Sequence, residues 1–205
     1  MSGNTSSVRC STTPGTSTVP TVWPVDLLQT ACKATPDSAN GDEAELRRWW
    51  LIYTQPRQEK MLARNLFAKR LPFYLPLIER RSLSRGRPRS ALVPLFSGYL
   101  FFFGTDDELA MADATQRVCT AQPVTDGERL RGELATVARL IATNAPLAHE
   151  ARLRSGERVR VRSGPFAGME GTVVRRQRQT RLLVAVTYLQ QGVSIDFDDC
   201  SLEAI

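Results

Sequence analysis

The chain has 205 residues, of which 42% are hydrophobic and 23% charged, and a formal net charge of +6. That length allows one large domain or two small ones, and the composition excludes fibrous, wholly disordered and membrane-spanning classes. The longest apolar stretch, 91–104, is broken by Pro94, Ser97 and Gly98 and falls short of the roughly 18 apolar residues of a membrane helix. The first residues lack the basic n-region and apolar h-region of a secretory signal, so a cytoplasmic protein is expected.

Residues 1–46 are rich in Ser, Thr and Pro and read as a disordered tail, with Trp23, Leu27 and Leu28 as the residues able to dock a short segment. Order is expected from Arg47. The continuous run Trp49-Trp50-Leu51-Ile52-Tyr53-Thr54 reads as a strand buried on both faces. Pro56 precedes a helix over 58–70, whose apolar residues Met61, Leu62, Leu66 and Phe67 keep close to a 3.6 period. Pro72 ends it, and 73–78 is a second extended segment.

Residues 79–89 hold Arg80, Arg81, Arg85, Arg87 and Arg89 around Gly86 and Pro88 and must form a solvated hairpin or loop. The segment 93–103 reads as one long strand closed by Gly104. A short helix over 106–114 has Thr105 as N-cap and acids in its first turn. A strand over 117–121 and a helix over 125–144 follow, the latter with Leu130, Leu134, Val137, Ala138, Leu140 and Ile141 as its apolar stripe. The order β-α-β-β-α-β is that of a split βαβ sandwich with helices on one face of an antiparallel sheet.

The expected organisation is therefore α+β. A ferredoxin/RNP-like split βαβ sandwich spans 47–144, a linker 145–154, and a small five-stranded β-barrel 155–205. In the last, 157–162 alternates strictly, 164–168 is a turn cluster, and further strands fall at 171–174, 181–188, 193–197 and 202–205.

Catalytic chemistry is hard to place. Cys10, Cys32, Cys119 and Cys200 are scattered and His149 is the one imidazole, so neither a zinc site nor a disulfide framework is encoded. No phosphate-cradling glycine loop and no nucleophile-elbow motif occurs. His149 falls in the linker, and Asp196, Asp198 and Asp199 lack adjacent ligands for a cation. No enzyme, metal or cofactor is expected.

Two surfaces remain. The arginine hairpin is dense enough in positive charge to meet a nucleic-acid backbone. The aromatic set Trp49, Trp50, Tyr53, Tyr99, Phe101 and Phe103 exceeds what one buried face needs. Alternation puts Tyr99, Phe101 and Phe103 on one face and Leu100 and Phe102 on the other. The first face is either covered by the 125–144 helix or the tail, or open to another protein's helix.

The strings Trp49-Trp50-Leu51-Ile52-Tyr53, Pro94-Leu95-Phe96-Ser97-Gly98-Tyr99-Leu100-Phe101 and Val159-Arg160-Val161-x-x-Gly164-Pro165-Phe166-Ala167-Gly168-x-x-Gly171-x-Val173 resemble the NusG family of transcription elongation factors. The last is similar to its KOW motif. The Pro-Leu-Phe string and the basic insertion look more like the specialised, RfaH-like paralogues than like the housekeeping member. The resemblance implies a factor that docks on the clamp helices of the largest RNA polymerase subunit and suppresses pausing or termination, nucleoid-associated through polymerase and monomeric.

By motif position Tyr53, Tyr99, Phe101 and Phe103 would line the polymerase-binding cavity. Asn65, Lys69 and Arg117, with the hairpin arginines, would meet nucleic acid, the non-template DNA strand included. Phe166 would mark the KOW contact with a small-subunit ribosomal protein or Rho. Glu108-Leu109-Ala110-Met111 replaces the hydroxyl-rich motif that paralogues turn to the polymerase gate loop. The alternatives are a housekeeping factor that assists Rho and a ribosome-associated KOW protein that binds RNA. The β-branched residues in 159–162 and 182–188 favour a resident β-barrel over a helical hairpin.

Overall fold

A computed structural model describes residues 20–29, 47–84, 87–143, 147–150, 156–162, 167–176, 179–196 and 202–204. Arg85, Phe166 and most of the expected tail lie outside those residues. The elements are β1 Val22–Trp23, β2 Arg48–Thr54, α1 Glu59–Ala68, β3 Phe73–Tyr74, β4 Leu77–Ser84, β5 Arg87–Pro94, β6 Tyr99–Gly104, α2 Asp106–Asp113, β7 Val118–Pro123 and α3 Gly127–Ala142. The C-terminal part adds β8 Leu147–Glu150, β9 Glu157–Val161, β10 Glu170–Arg176, β11 Gln179–Val186, β12 Gln191–Asp196 and β13 Leu202–Ala204.

The first sheet has the order β1-β3-β6-β2-β7 with antiparallel pairing throughout. Side chains alternate across a strand, so β2 must supply both faces. Trp49 and Leu51, opposite Phe103 and Phe101, join Tyr74 and the α3 residues Leu130, Leu134, Val137 and Leu140 in one core. Trp50 and Ile52, opposite Phe102 and Leu100, join Phe73 and the α1 residues Leu62, Ala63 and Leu66 in another. Helices thus cover both faces of the sheet, with α1 and α2 on one side and α3 on the other. This double cover is why β2 is apolar without alternation.

Three boundaries differ from expectation. The segment 93–103 is two strands, because Pro94 closes a hairpin and the chain then reverses through Ser97 and Gly98, the latter at φ +84°. The hairpin β4–β5 forms a separate two-stranded sheet. Part of the expected tail is also structured. Val22 and Trp23 pair with Tyr74 and Phe73, Leu27 and Leu28 are buried, and Arg131 donates to the Leu28 carbonyl at 2.9 Å. Val22, Leu27 and Leu28 join the core on the α3 side, and Trp23 packs on the core of the α1 side.

Helix α2 begins with a full capping box. Thr105 Oγ1 accepts from Glu108 N at 3.2 Å, and Glu108 Oε2 accepts from Thr105 N at 3.1 Å. Arg48 and Asp106 then bind β2 to the start of α2 at 2.5 Å. Helix α3 is capped by Asp126, which accepts from Arg129 N at 2.9 Å.

The second sheet has the order β13-β9-β10-β11-β12-β8. Strands β9 to β13 are the five expected. The sixth, β8, lies in the stretch expected as linker and pairs residues 147–150 with 192–195. Val159, Val161, Met169, Leu182, Val184, Val186, Val193 and Ile195 form its buried side, while Arg158, Arg160 and Arg162 point out. The segments 159–162 and 182–188 are β-structured as expected, apart from a 3-10 turn at Thr187–Leu189.

Two measurements probe this packing. Leu27→Ala with Leu28→Ala should lower unfolding stability by at least about 2 kcal/mol in a denaturant titration, as for other buried leucines. A loss within about 0.5 kcal/mol would show the segment to be dispensable to the core. Burial pushes the Tyr74 phenol well above its ordinary pKa. An unfolded tyrosine ionises near about 10, so stability contributed by this site is intact below that pH and falls as pH rises beyond it. Tyr74→Phe should flatten that alkaline loss.

Candidate binding surfaces

On the α3 side of the sheet, beyond the reach of the helix, the ends of β2, β6 and β7 leave a groove. Leu51 and Tyr53 come from β2, Tyr99 from β6, Thr120 and Gln122 from β7, and Tyr188 and Leu189 from the turn after β11. Its volume is about 310 Å³. The rings of Tyr53 and Tyr99 face each other at 5.3 Å with 56° between their planes, and Tyr53 is 46% exposed. That geometry offers two aromatic faces with polar tips to an incoming partner.

The position of Tyr53 depends on glycine. A Cβ on Gly98 would lie 2.9 Å from Tyr53 Cε2, and the positive φ there already excludes most side chains. Gly98 N donates to Glu59 Oε1 at 2.8 Å, and its carbonyl accepts from Thr54 N at 2.8 Å. The start of α1 and the end of β2 thus hold the turn on which the tyrosine rests.

Of the four residues expected to line a polymerase cavity, Tyr53 and Tyr99 do line the groove. Phe101 does not. It is fully buried, 6.4 Å from Tyr74 and 6.3 Å from Phe96, because the next odd position of β6 falls beneath the cover of α3 and Leu27. Phe103 is half-buried against Trp49 at 5.4 Å, at the far end of the strand. The alternation that places these rings on one face does not say where along the strand the cover ends. Leu51 was readable as a groove residue from its parity with Tyr53. Tyr188 and Leu189 carried no sequence signal, since they come from the other sheet.

That other sheet is held to α3 by side chains. Tyr188 Oη lies 2.5 Å from Thr125 Oγ1 and accepts from Asp126 N at 2.7 Å. Glu133 accepts from Thr187 N at 2.9 Å and from its hydroxyl at 2.6 Å, and Arg129 donates to the same hydroxyl at 3.0 Å. The first turns of α3 are therefore a latch for the Thr187–Leu189 turn.

The residues expected to meet nucleic acid are spread apart. Lys69 Nζ donates to the Met111 carbonyl at 2.8 Å, which ties the end of α1 to α2. Arg117 donates from Nη1 to Gln58 Oε1 at the start of α1, while its Nε is buried without a partner. Asn65 is half-buried midway along α1. Arg117 and Lys69 are separated by roughly 16 Å of helix and do not form one cluster. Arg80, Arg81, Arg87 and Arg89 are all exposed on the hairpin. Among the described residues no group of three or more His, Cys, Asp or Glu side chains could hold a metal, and no helix is long and apolar enough to cross a membrane.

The outward arginines of β9 are not free charges. Arg160 meets Glu170 at 2.6 Å, Arg162 meets Glu203 at 3.3 Å, and Arg158 lies 3.6 Å from Glu170. The hydrogen bond from Arg160 holds the Glu170 carboxyl below its ordinary range.

Residues 47–129 match the family model described as "Transcription termination factor nusG", and residues 155–187 match the KOW motif. The first sandwich is thus similar to the NusG family, and the second sheet carries a KOW motif. No curated protein matches the chain in sequence. Among solved structures it is similar to "Crystal Structure of MjSpt4:Spt5 complex conformation B" at 16% identity. That likeness covers 77% of this chain and 96% of the other, with a TM-score of 0.27. The KOW match takes in β9, β10, β11 and the Thr187 side of the latch.

Replacing Glu133 by Ala together with Tyr188→Phe removes hydrogen bonds worth about 1 kcal/mol each and should loosen the KOW part from α3. Faster proteolytic cleavage within 143–157 would report it. An unchanged cleavage rate would show that apolar contact alone holds the two together.

Proposed function

We propose that this NusG-type elongation factor docks on the helical clamp hairpin of the largest RNA polymerase subunit through the Tyr53–Tyr99 groove. The observation that carries the reading is the facing tyrosine pair, Tyr53 exposed and Tyr99 half-buried, at the end of a sheet face that α3 covers over Leu51 and Phe101. A ligand that favours one state of a machine shifts its equilibrium by its differential affinity, about 1.4 kcal/mol for each factor of ten. Preference for the closed clamp would suppress pausing in that way. Phe101 then acts as the floor beneath the groove rather than as a contact, and Phe103 as packing behind it.

The specialised, antiterminating role over particular operons is favoured by the β4–β5 ribbon, a built arm that stands off the sandwich. The reading as a ribosome-associated RNA-binding KOW protein is weakened by the two carboxylates, Glu170 and Glu203, that Arg158, Arg160 and Arg162 already meet. The KOW part would instead take a protein partner, a small-subunit ribosomal protein or Rho. Tyr188 and Leu189 wall one side of the groove. A clamp hairpin seated on Tyr53 and Tyr99 would therefore press against the KOW part, which would give way at the Thr187–Leu189 turn.

The test is a pull-down of the full chain with isolated clamp helices. Tyr53→Ala with Tyr99→Ala should weaken capture by about tenfold or more, the loss of a hot-spot pair, with the circular dichroism spectrum unchanged. Undiminished capture would refute the docking site. Chromatin immunoprecipitation separates the two roles, since occupancy concentrated on a few operons supports the specialised one and even occupancy the housekeeping one.

A further inference from the structure

The ribbon β4–β5 has two unlike faces. Cross-strand partners share a face, so the pairs Arg80–Ala91, Ser82–Arg89 and Ser84–Arg87 lie on one side. The pairs Glu79–Leu92, Arg81–Ser90 and Leu83–Pro88 lie on the other. On the second side the single arginine has an acid beside it: Glu79 lies 3.8 Å from Arg81 and also accepts from the Ser90 hydroxyl. Leu83 is 80% exposed there. On the first side Arg80, Arg87 and Arg89 are exposed, and among the described residues none has an ion pair.

We propose that β4–β5 is a DNA-binding arm that lays its first face, through Arg80, Arg87 and Arg89, along the phosphates of a B-form duplex. Each arginine sits two residues further along the ribbon than the last, a step of about 7 Å. Three forked, unneutralised donors, one on β4 and two on β5, therefore recur along one face with no carboxylate between them among the described residues, which suits successive phosphates. A two-stranded ribbon fits the B-form major groove, whereas the A-form major groove is too deep and narrow for side chains to reach. Single-strand binders stack bases on aromatic rings, and residues 77–94 contain no Phe, Tyr or Trp. Duplex DNA is the partner that meets all three conditions.

The arm is also aimed. Lys60 on α1 donates to the Leu92 carbonyl at the root of the ribbon, and Leu95 N donates to the Pro76 carbonyl at 2.8 Å. The ribbon's base is thus fixed to the sandwich, while its arginine face is left to solvent.

This proposal deepens the elongation-factor reading by giving its arm a ligand class and a contact face. It is tested without polymerase, so that its failure leaves the clamp contact untouched and the reverse. Fluorescence anisotropy would compare the full chain on a labelled duplex DNA of about 20 base pairs, the matching RNA duplex and one DNA strand. With three phosphates neutralised, affinity for the DNA duplex should fall roughly 40-fold between 50 and 200 mM salt.

Arg80→Gln, Arg87→Gln and Arg89→Gln should each reduce the slope of log affinity against log salt by about one unit, and together should weaken binding by about tenfold or more. Arg81→Gln, on the opposite face, should leave binding within about twofold. The proposal is overturned if the triple variant binds as the parent does, if Arg81→Gln is as damaging, or if the RNA duplex or single strand binds as tightly as duplex DNA.

Discussion

The burial of β2 from both sides is the constraint on which the rest of the molecule depends. Trp49 and Leu51 need α3, and Trp50 and Ile52 need α1. Neither helix can leave without exposing part of a strand that has no polar side to show water. Burying each such side chain contributes about 1.5–3 kcal/mol, so the two helices are committed before any surface is shaped. Tyr53, one residue beyond the buried run, escapes that cover. Its exposure follows from where α3 ends its reach over the strand.

Much of the sandwich was legible because it rests on local patterns. The Trp49–Thr54 run, the period of α1, the Thr105 cap and the stripe of α3 all read directly from residue type and spacing. What could not be read depended on distant partners. Pro94 and Gly98 look like interruptions within one strand, and only the pairing of β4 with β5 shows that they separate two sheets. Leu27 and Leu28 look like strays in a Ser- and Thr-rich segment until α3 and the sheet edge leave a space for them. Phe101 and Tyr99 are equivalent by parity, but Phe96 and Tyr74 bury one and leave the other half-open. Tyr188 was invisible as a groove residue because the strands it faces there, β2, β6 and β7, lie far away in the chain.

The arginines show the same dependence on context. Five lie within 79–89 and three within 158–162, and by composition either set could bind a polyanion. Cross-strand geometry separates them. At 158–162 the facing strands present Glu170 and Glu203, and two carboxylates answer most of the charge of three arginines within the protein. On the ribbon the partner positions of the arginine face hold Ser82 and Ala91, which answer nothing.

Gly98 has a consequence for anyone who would re-engineer this surface. It makes no part of the groove lining, yet its missing side chain is what lets the ring of Tyr53 approach the turn so closely. A designer who altered only the residues a partner touches would pass over it. A neutral-looking Gly-to-Ala swap made to stiffen the loop would strain the backbone at that positive φ and crowd the ring from behind.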